Sequence, residues 1–263
     1  MSSYYWEGKA KRAVAASKHT EQMKQQFSEE IANCVKNTVL YQGPLEMKSA
    51  YQQTDPIEMK LAGTDSVDAI FSYAEGKTAV LNFASFKNPG GMYIMGSQAQ
   101  EESLCHASFL YNVLQEFNGS YYEFNRSHLN NALYMDRALY SPDVVFLKEG
   151  EQIKCDVITC AAPNLMGALR TKRVSFEENS KALETRCRFV VQVAELQQVD
   201  TLILGAFGCG VFAQNATEVA EYLISALKQY GTGIKKAVFA VPNMYHKENY
   251  EAFEEVFKKH SVK

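Results

Sequence analysis

Four short apolar runs, separated by stretches long enough for helices, constrain this chain more than any other feature. They are Thr78–Ala84 (TAVLNFA), Asp156–Ala161 (DVITCA), Thr201–Leu204 (TLIL) and Ala237–Val241 (AVFAV). Each is apolar almost throughout, as a strand buried on both faces requires. Helical stretches at 98–117, 175–197 and 216–230 lie between them, and one at 247–259 closes the chain. Strand–helix alternation of this kind predicts an α/β sandwich around a largely parallel sheet. Upstream, residues 7–37 read as one polar helix, with Met23, Phe27, Ile31, Cys34 and Val35 at helical spacing. Gly43-Pro44 ends that unit. Val67, Ile70, Phe71 and Ala74 mark a short helix over 65–75.

At 263 residues, with no internal repeat, low-complexity tract or linker, a single domain over 1–263 is expected. Residues 1–45 form an N-terminal extension packed on it. The apolar fraction of 46% and charged fraction of 22% are those of a soluble globular protein. A net charge of −3 argues against a nucleic-acid-coating surface, so no direct nucleic-acid binding is expected. Near the N-terminus, Lys9, Lys11, Arg12, Lys18 and Lys24 face only Glu7 and Glu21, which reads as a solvated helical face. The six cysteines are scattered without a CxxC pair, which disfavours a structural zinc. There is neither a signal-peptide core nor a long apolar run, so no membrane partner is expected. The expected compartment is the cytoplasm, with reduced thiols.

Two Gly-rich turns follow apolar runs, where ligands bind in open α/β sheets. The first is Asn88-Pro89-Gly90-Gly91. Paired glycines permit positive φ and let backbone N–H groups approach an anion, although Pro-Gly is also a common tight turn. Ser97-Gln98-Ala99-Gln100 then matches a capping box. The helix it opens has Leu104, Ala107, Tyr111 and Leu114 on its apolar face. Glu101 and Glu102 fall just inside its start, about 100° apart around the axis. One can protonate while the other grips. Dipole compensation explains either one alone. The helix N-terminus would lower their pKa values, whereas a bound pyrophosphate would raise them. His106 is read as out of phase with both and structural.

The second turn is Gly205-Ala206-Phe207-Gly208-Cys209-Gly210-Val211-Phe212, before a helix opened by Asn215 with Glu218 as capping partner. Glycines 205, 208 and 210 expose N–H groups ahead of that helix, which makes an anion site. The spacing is neither GxGxxG nor a Walker A loop, which disfavours nucleoside-triphosphate hydrolysis. Phe207 and Phe212 can stack on a sugar or base, or pack in the core. An acid pair beside an anion cradle points to a sugar-phosphate ligand and glycosidic-bond cleavage.

Together these segments resemble the microbial-type poly(ADP-ribose) glycohydrolases, a branch of the macrodomain superfamily. That family's signature is Gly-Gly-Gly, a short spacer, then Gln-Glu-Glu. Gly90-Gly91, the spacer Tyr93–Ala99 and Gln100-Glu101-Glu102 are similar to it, as GAFGCGVF at Gly205–Phe212 is to its second loop. The resemblance extends through Leu133–Lys148, taken as a connecting segment, Val157–Asn164 and the closing FAVPN…ENYEAFEEVF. It implies a three-layer α/β/α macrodomain-like sandwich with a mixed, largely parallel sheet and an N-terminal helical extension. It implies hydrolysis of ribose-linked bonds in poly(ADP-ribose) or related ADP-ribosyl substrates, with no cofactor and no metal. The implied partners are ADP-ribose, the polymer or an ADP-ribosylated protein.

By the same resemblance, Glu102 is the general acid and Glu101 bonds hydroxyls at the scissile linkage. Asn88, Gly90 and Gly91 hold the terminal ribose. The amides of Gly205, Ala206, Phe207, Gly208, Cys209, Gly210 and Val211 cradle the pyrophosphate, Phe212 packs on the terminal ribose, and Gln100 either joins the ligand-binding residues or only caps the helix. Met92 stands where the family has its third glycine. The alternative reading is therefore an ADP-ribose-binding module with weak or no turnover, in which a side chain and a restricted φ at residue 92 block the productive pose. A third reading is a hydrolase for another nucleotide sugar.

Overall fold

The computed structural model describes residues 3–46, 56–244 and 247–261. Met1 and Ser2 of the expected extension lie outside the described residues. The elements in order are α1 (Ser3–Gln26), α2 (Ser28–Asn37), β1 (Val39–Gln42), β2 (Glu58–Ala62), α3 (Ser66–Tyr73), β3 (Thr78–Phe83), α4 (Gln100–His106) and α5 (Leu110–Glu116). They continue with α6 (Phe124–Ser127), β4 (Arg137–Lys148), β5 (Glu151–Cys160), α7 (Leu165–Arg170), α8 (Phe176–Leu196), β6 (Thr201–Gly205), α9 (Ala216–Tyr230), β7 (Lys236–Ala240) and α10 (Glu248–Ser261). Among the described residues the strands make one seven-stranded sheet, ordered β1-β4-β5-β3-β6-β7-β2. The five strands from β5 to β2 run parallel to their neighbours, while β1–β4 and β4–β5 pair antiparallel. The sheet is therefore mixed and largely parallel.

Alternation along the strands builds the three layers. Ala79 and Leu81 of β3, Ile158 and Cys160 of β5, and Leu202 and Leu204 of β6 point to one side. There they pack against Cys187 of α8, Leu223 of α9 and Phe253 of α10. Val80, Val157 and Ile203 point to the other side, against Ala16 of α1, Ile70 of α3, Leu104 of α4 and Val113 of α5. Both faces are apolar, which is why these strands read as continuous apolar runs rather than alternating ones. No helix among the described residues is long and apolar enough to cross a membrane.

Several expected boundaries change. The single helix over 7–37 breaks at Phe27, whose φ of −126° leaves the helical range. Its ring is buried 6.0 Å from that of Phe109. The helix over 98–117 divides into α4 and α5, because Ser108 leaves it to bridge Phe146 of β4. The segment taken as a connection, Leu133–Lys148, contains the twelve-residue strand β4. β4 turns into β5 through Glu149 and Gly150, both at positive φ (52° and 87°), as a two-residue hairpin turn matching the strand twist requires. The strand read as starting at Asp156 consequently starts at Glu151.

Candidate active site

The C-terminal end of β3 carries the first half of the site. Asn82 is fully buried there, and the chain then passes through Ser85 to the turn at Asn88–Gly91. Gly90 and Gly91 both adopt left-handed backbone, with φ of 62° and 63°. Each is also packed too tightly for a side chain. A Cβ on Gly90 would stand 2.6 Å from Cδ2 of Tyr111. One on Gly91 would stand 2.6 Å from Oε1 of Glu102 and 2.9 Å from Oε2 of Glu101. The two carboxylates therefore converge on the glycine turn.

Gln100 orients them. Its Oε1 accepts from the backbone N–H of Phe83 at 2.8 Å, and its Nε2 donates to the carbonyl of Leu81 at 2.8 Å and to the hydroxyl of Ser66 at 3.0 Å. The side-chain amide thus stands in for a neighbouring strand and docks α4 on the end of β3. This corrects the expected capping box: the N-cap position is Ala99, with no side-chain cap bond, and Gln100 is engaged elsewhere. At the second expected cap, Asn215 does accept from the N–H of Glu218, whereas the Glu218 carboxylate accepts from Ser180 of α8 at 2.9 Å.

Glu101 is buried. The N–H of Ser85 donates to its Oε2 at 2.7 Å, and Nδ2 of Asn82 to its Oε1 at 3.2 Å. Burial nevertheless pushes its carboxyl up to about 8, overcoming both bonds. The lowering expected from a helix N-terminus is outweighed, and burial favours the protonated form of Glu101. Glu102 accepts the N–H of Met92 on Oε1 at 2.9 Å. The glycine turn thus holds the second carboxylate through a backbone donor that any residue but proline supplies. Met92 itself has φ of −115°, an ordinary value for a residue with a side chain, and its side chain is 44% exposed. The expected backbone restriction at this position is absent.

The second loop lies across the cleft. A cavity of about 320 Å³ is lined by Phe83, Gly91, Met92, Gln100, Glu101 and Glu102 on one side, and by Ala206, Gly208, Gly210, Val211 and Phe212 on the other. Gly208 needs its glycine: φ is 77°, and a Cβ would meet that of Ala162 at 2.6 Å. The space around Gly210 is open. Among the described residues, no protein acceptor engages the N–H groups of Gly208, Gly210 and Val211, so they remain available to an anion.

Five of the expected contact residues do not line the cavity. Asn88 is exposed, and its carbonyl accepts from the Gly91 N–H. Gly90 lies beneath Tyr111, and Gly205 ends β6 against the carbonyl of Ala240. Phe207 is fully buried with its ring 5.7 Å from that of Phe83, so it packs in the core instead of stacking on a ligand. Cys209 packs on the core, where burial pushes its thiol up to about 12. His106 also changes: four residues from Glu102, it shares a helix stripe with it and lines a common groove.

Other contributors were missed. Asn82 sits inside an apolar strand, where an amide is costly unless bonded, and that cost is the signal that could have revealed it. Ser85 holds Glu101 through its backbone and so leaves no trace in sequence. A smaller cavity of about 210 Å³ adjoins the first through Phe83, Gln100 and Ala206, and adds Asp65, Ser66 and Pro242.

The chain is similar in structure to poly(ADP-ribose) glycohydrolase from Thermomonospora curvata, at 25% identity over 94% of this chain and 100% of that one, with a TM-score of 0.82. It matches the same enzyme bound to the inhibitor ADP-HPD, at 25% identity over 94% and 99% of the two chains, with a TM-score of 0.79. A third match is poly(ADP-ribose) glycohydrolase from Deinococcus radiodurans in complex with ADP-ribose, at 27% identity over 88% and 98%, with a TM-score of 0.77. No curated protein matches the chain. The model of the microbial-type PARG catalytic domain matches residues 9–149, more than half of the sequence and the part that carries both glutamates. The chain therefore belongs to the microbial-type poly(ADP-ribose) glycohydrolase family, whose members hydrolyse glycosidic bonds.

Proposed function

We propose that this protein hydrolyses the ribose–ribose bond of poly(ADP-ribose), releasing ADP-ribose. The observation that carries this reading is the convergence of two carboxylates on Gly91, in a cavity whose far wall presents unengaged loop amides. The amides of Gly208–Val211 take the diphosphate. The adjoining cavity at Asp65, Ser66 and Pro242 gives the nucleoside end its room. Glu101, fixed by Ser85 and Asn82 and with its protonated form favoured by burial, grips a hydroxyl of the terminal ribose.

Glu102 has one oxygen on the Met92 N–H, and among the described residues no donor engages its other oxygen. It gives its proton to the leaving ribose oxygen as the anomeric carbon gains oxocarbenium character, then takes one from the attacking water. The Met92 side chain lines the cavity mouth, where it borders the ligand without distorting the turn. Six free cysteines, five of them buried, suit a reducing compartment, and the cytoplasm is the proposed one.

Incubating the purified protein with poly(ADP-ribose) tests the reading, with chromatography of the products and calorimetry with ADP-ribose. Free ADP-ribose is the expected product. Binding without release would make the protein a reader of ADP-ribose, and failure to bind would remove both.

A further inference from the structure

Five of the nine non-glycine residues with left-handed backbone among the described residues belong to two segments that meet at the ring of Phe212. Asn130, Asn131, Ala132 and Tyr134, just before β4, have φ of 46°, 50°, 69° and 62°. Ala213, with φ of 58°, follows Phe212 directly. Residues with a Cβ avoid this conformation, and it persists only where the surroundings over-determine it. Here they do. The carbonyl of Leu129 accepts the N–H of Ala132 at 2.8 Å and that of Tyr134 at 3.2 Å, and Nδ2 of Asn130 donates to the carbonyl of Tyr134 at 3.1 Å. The coil so closed sets the buried Tyr134 ring against two others. Phe86 stacks on it at 4.2 Å and 11°, and Phe212 meets it edge-on at 5.9 Å.

We propose that Tyr134 is a positioning residue for the hydrolytic reaction: it fixes the Phe212 ring, and through that ring the terminal ribose relative to Glu102. The inference rests on the glycohydrolase reading, in which Phe212 borders the terminal ribose. Phe212 lines the cavity and Tyr134 does not, so Tyr134 reaches a ligand only through Phe212. The brace grips the backbone of the loop as well as the ring. Asn164 donates from Nδ2 to the Tyr134 hydroxyl at 3.4 Å and accepts the Gly167 N–H on Oδ1 at 2.8 Å, which ties the tyrosine to the start of α7. The next N–H of α7, that of Met166, donates to the Phe212 carbonyl at 3.4 Å. Two residues beyond Phe212, Nε2 of Gln214 donates to the carbonyl of Pro163 at 2.7 Å. A ring held in this way cannot swing to another rotamer, and it presents one fixed wall to the sugar. Alignment of the anomeric carbon with the acid depends on such a wall more than affinity does.

The test is a double-mutant cycle on ADP-ribose release from poly(ADP-ribose), with the thermal midpoint and ADP-ribose affinity measured on each protein. Tyr134→Leu is expected to lower kcat about tenfold while KM rises less than about threefold. Tyr134→Phe, which keeps the ring, is expected to restore kcat. Phe212→Leu is expected to lower kcat similarly, and the double variant to be no slower than Phe212→Leu alone, because the tyrosine acts through the phenylalanine. A folded Tyr134→Leu with wild-type kcat, whatever its thermal midpoint, would overturn the proposal. So would losses that multiply in the double variant. Should Tyr134→Leu not fold, Phe86→Leu asks the same question from behind the ring. It is expected to slow the wild type but not Phe212→Leu, and equal slowing of both would overturn the proposal. A wild-type protein that binds ADP-ribose and releases none from the polymer removes the glycohydrolase reading alone. The same cycle is then read in ADP-ribose affinity, where losses that multiply would overturn the brace. Absence of binding would remove both.

Discussion

Gly91 shows how tightly single residues are tied to the chemistry. Its left-handed backbone and its contact with both glutamates leave no room for a methyl group, whereas the next residue, Met92, has ordinary backbone and a half-exposed side chain. Denaturant unfolding should therefore separate neighbours that look alike in a glycine-rich turn. Gly91→Ala is expected to cost about 1–3 kcal/mol, and Met92→Ala to stay within about 1 kcal/mol. Equal losses would show that the turn is not held as described. The glutamate pair and both glycine loops were legible in the sequence because their residue types are rare in such order. The proposed division of labour between the glutamates was less so, because it depends on Asn82 and the Ser85 amide, which tertiary folding brings to Glu101. Gln100 illustrates the same limit: its spacing from Ser97 fits a cap, but bonding to the end of β3 satisfies its amide more fully.

At the level of elements, α1 straps the segment that carries the two glutamates in place. Nε of Arg12 donates to the carbonyl of Gly96 at 2.8 Å, the Tyr93 hydroxyl to that of Ala16 at 3.1 Å, and Nδ2 of Asn112 to that of Thr20 at 3.0 Å. His106 of α4 sits edge-on to Tyr93 at 4.6 Å, with the His19 ring 6.4 Å away. Burial, then His19 and Arg12, hold its pKa below the usual histidine value. The unfolded chain therefore takes up this proton before the folded one does. The contribution is whole above about pH 6.5 and is lost as the pH falls through it. The denaturant midpoint is expected to fall between pH 7.5 and 5.5, and to fall less in His106→Asn. An identical slope in the two proteins would count against this strap. Strands β3 and β6 were legible because both faces are buried. β1 and β2 were not, since they lie at the two edges of the sheet with mostly exposed or half-exposed residues. β4 was hidden by Pro142 and Asp143 at its bulge, where Asp143 has φ of 55° and its N–H is held by Asp156.

Across the whole molecule, β3 and β6 lie side by side in the sheet, so the loops leaving their C-terminal ends face each other. That placement turns two turns 114 residues apart, counted from Gly91 to Gly205, into one cleft. The alternation of apolar runs and helices already implied such an edge, but not which residues of each loop reach the cavity. Phe207 and Gly205 turn into the core, and Val211 and Phe212 toward the cavity. The central claim is that Glu102 does the proton transfer while Glu101 grips. Its most direct test is the rate of ADP-ribose release from poly(ADP-ribose) by wild-type protein and by Glu102→Gln, with ADP-ribose affinity measured on both. The expected result is a loss of about 10²–10⁴-fold in release with binding retained. Release that survives Glu102→Gln undiminished would contradict the account.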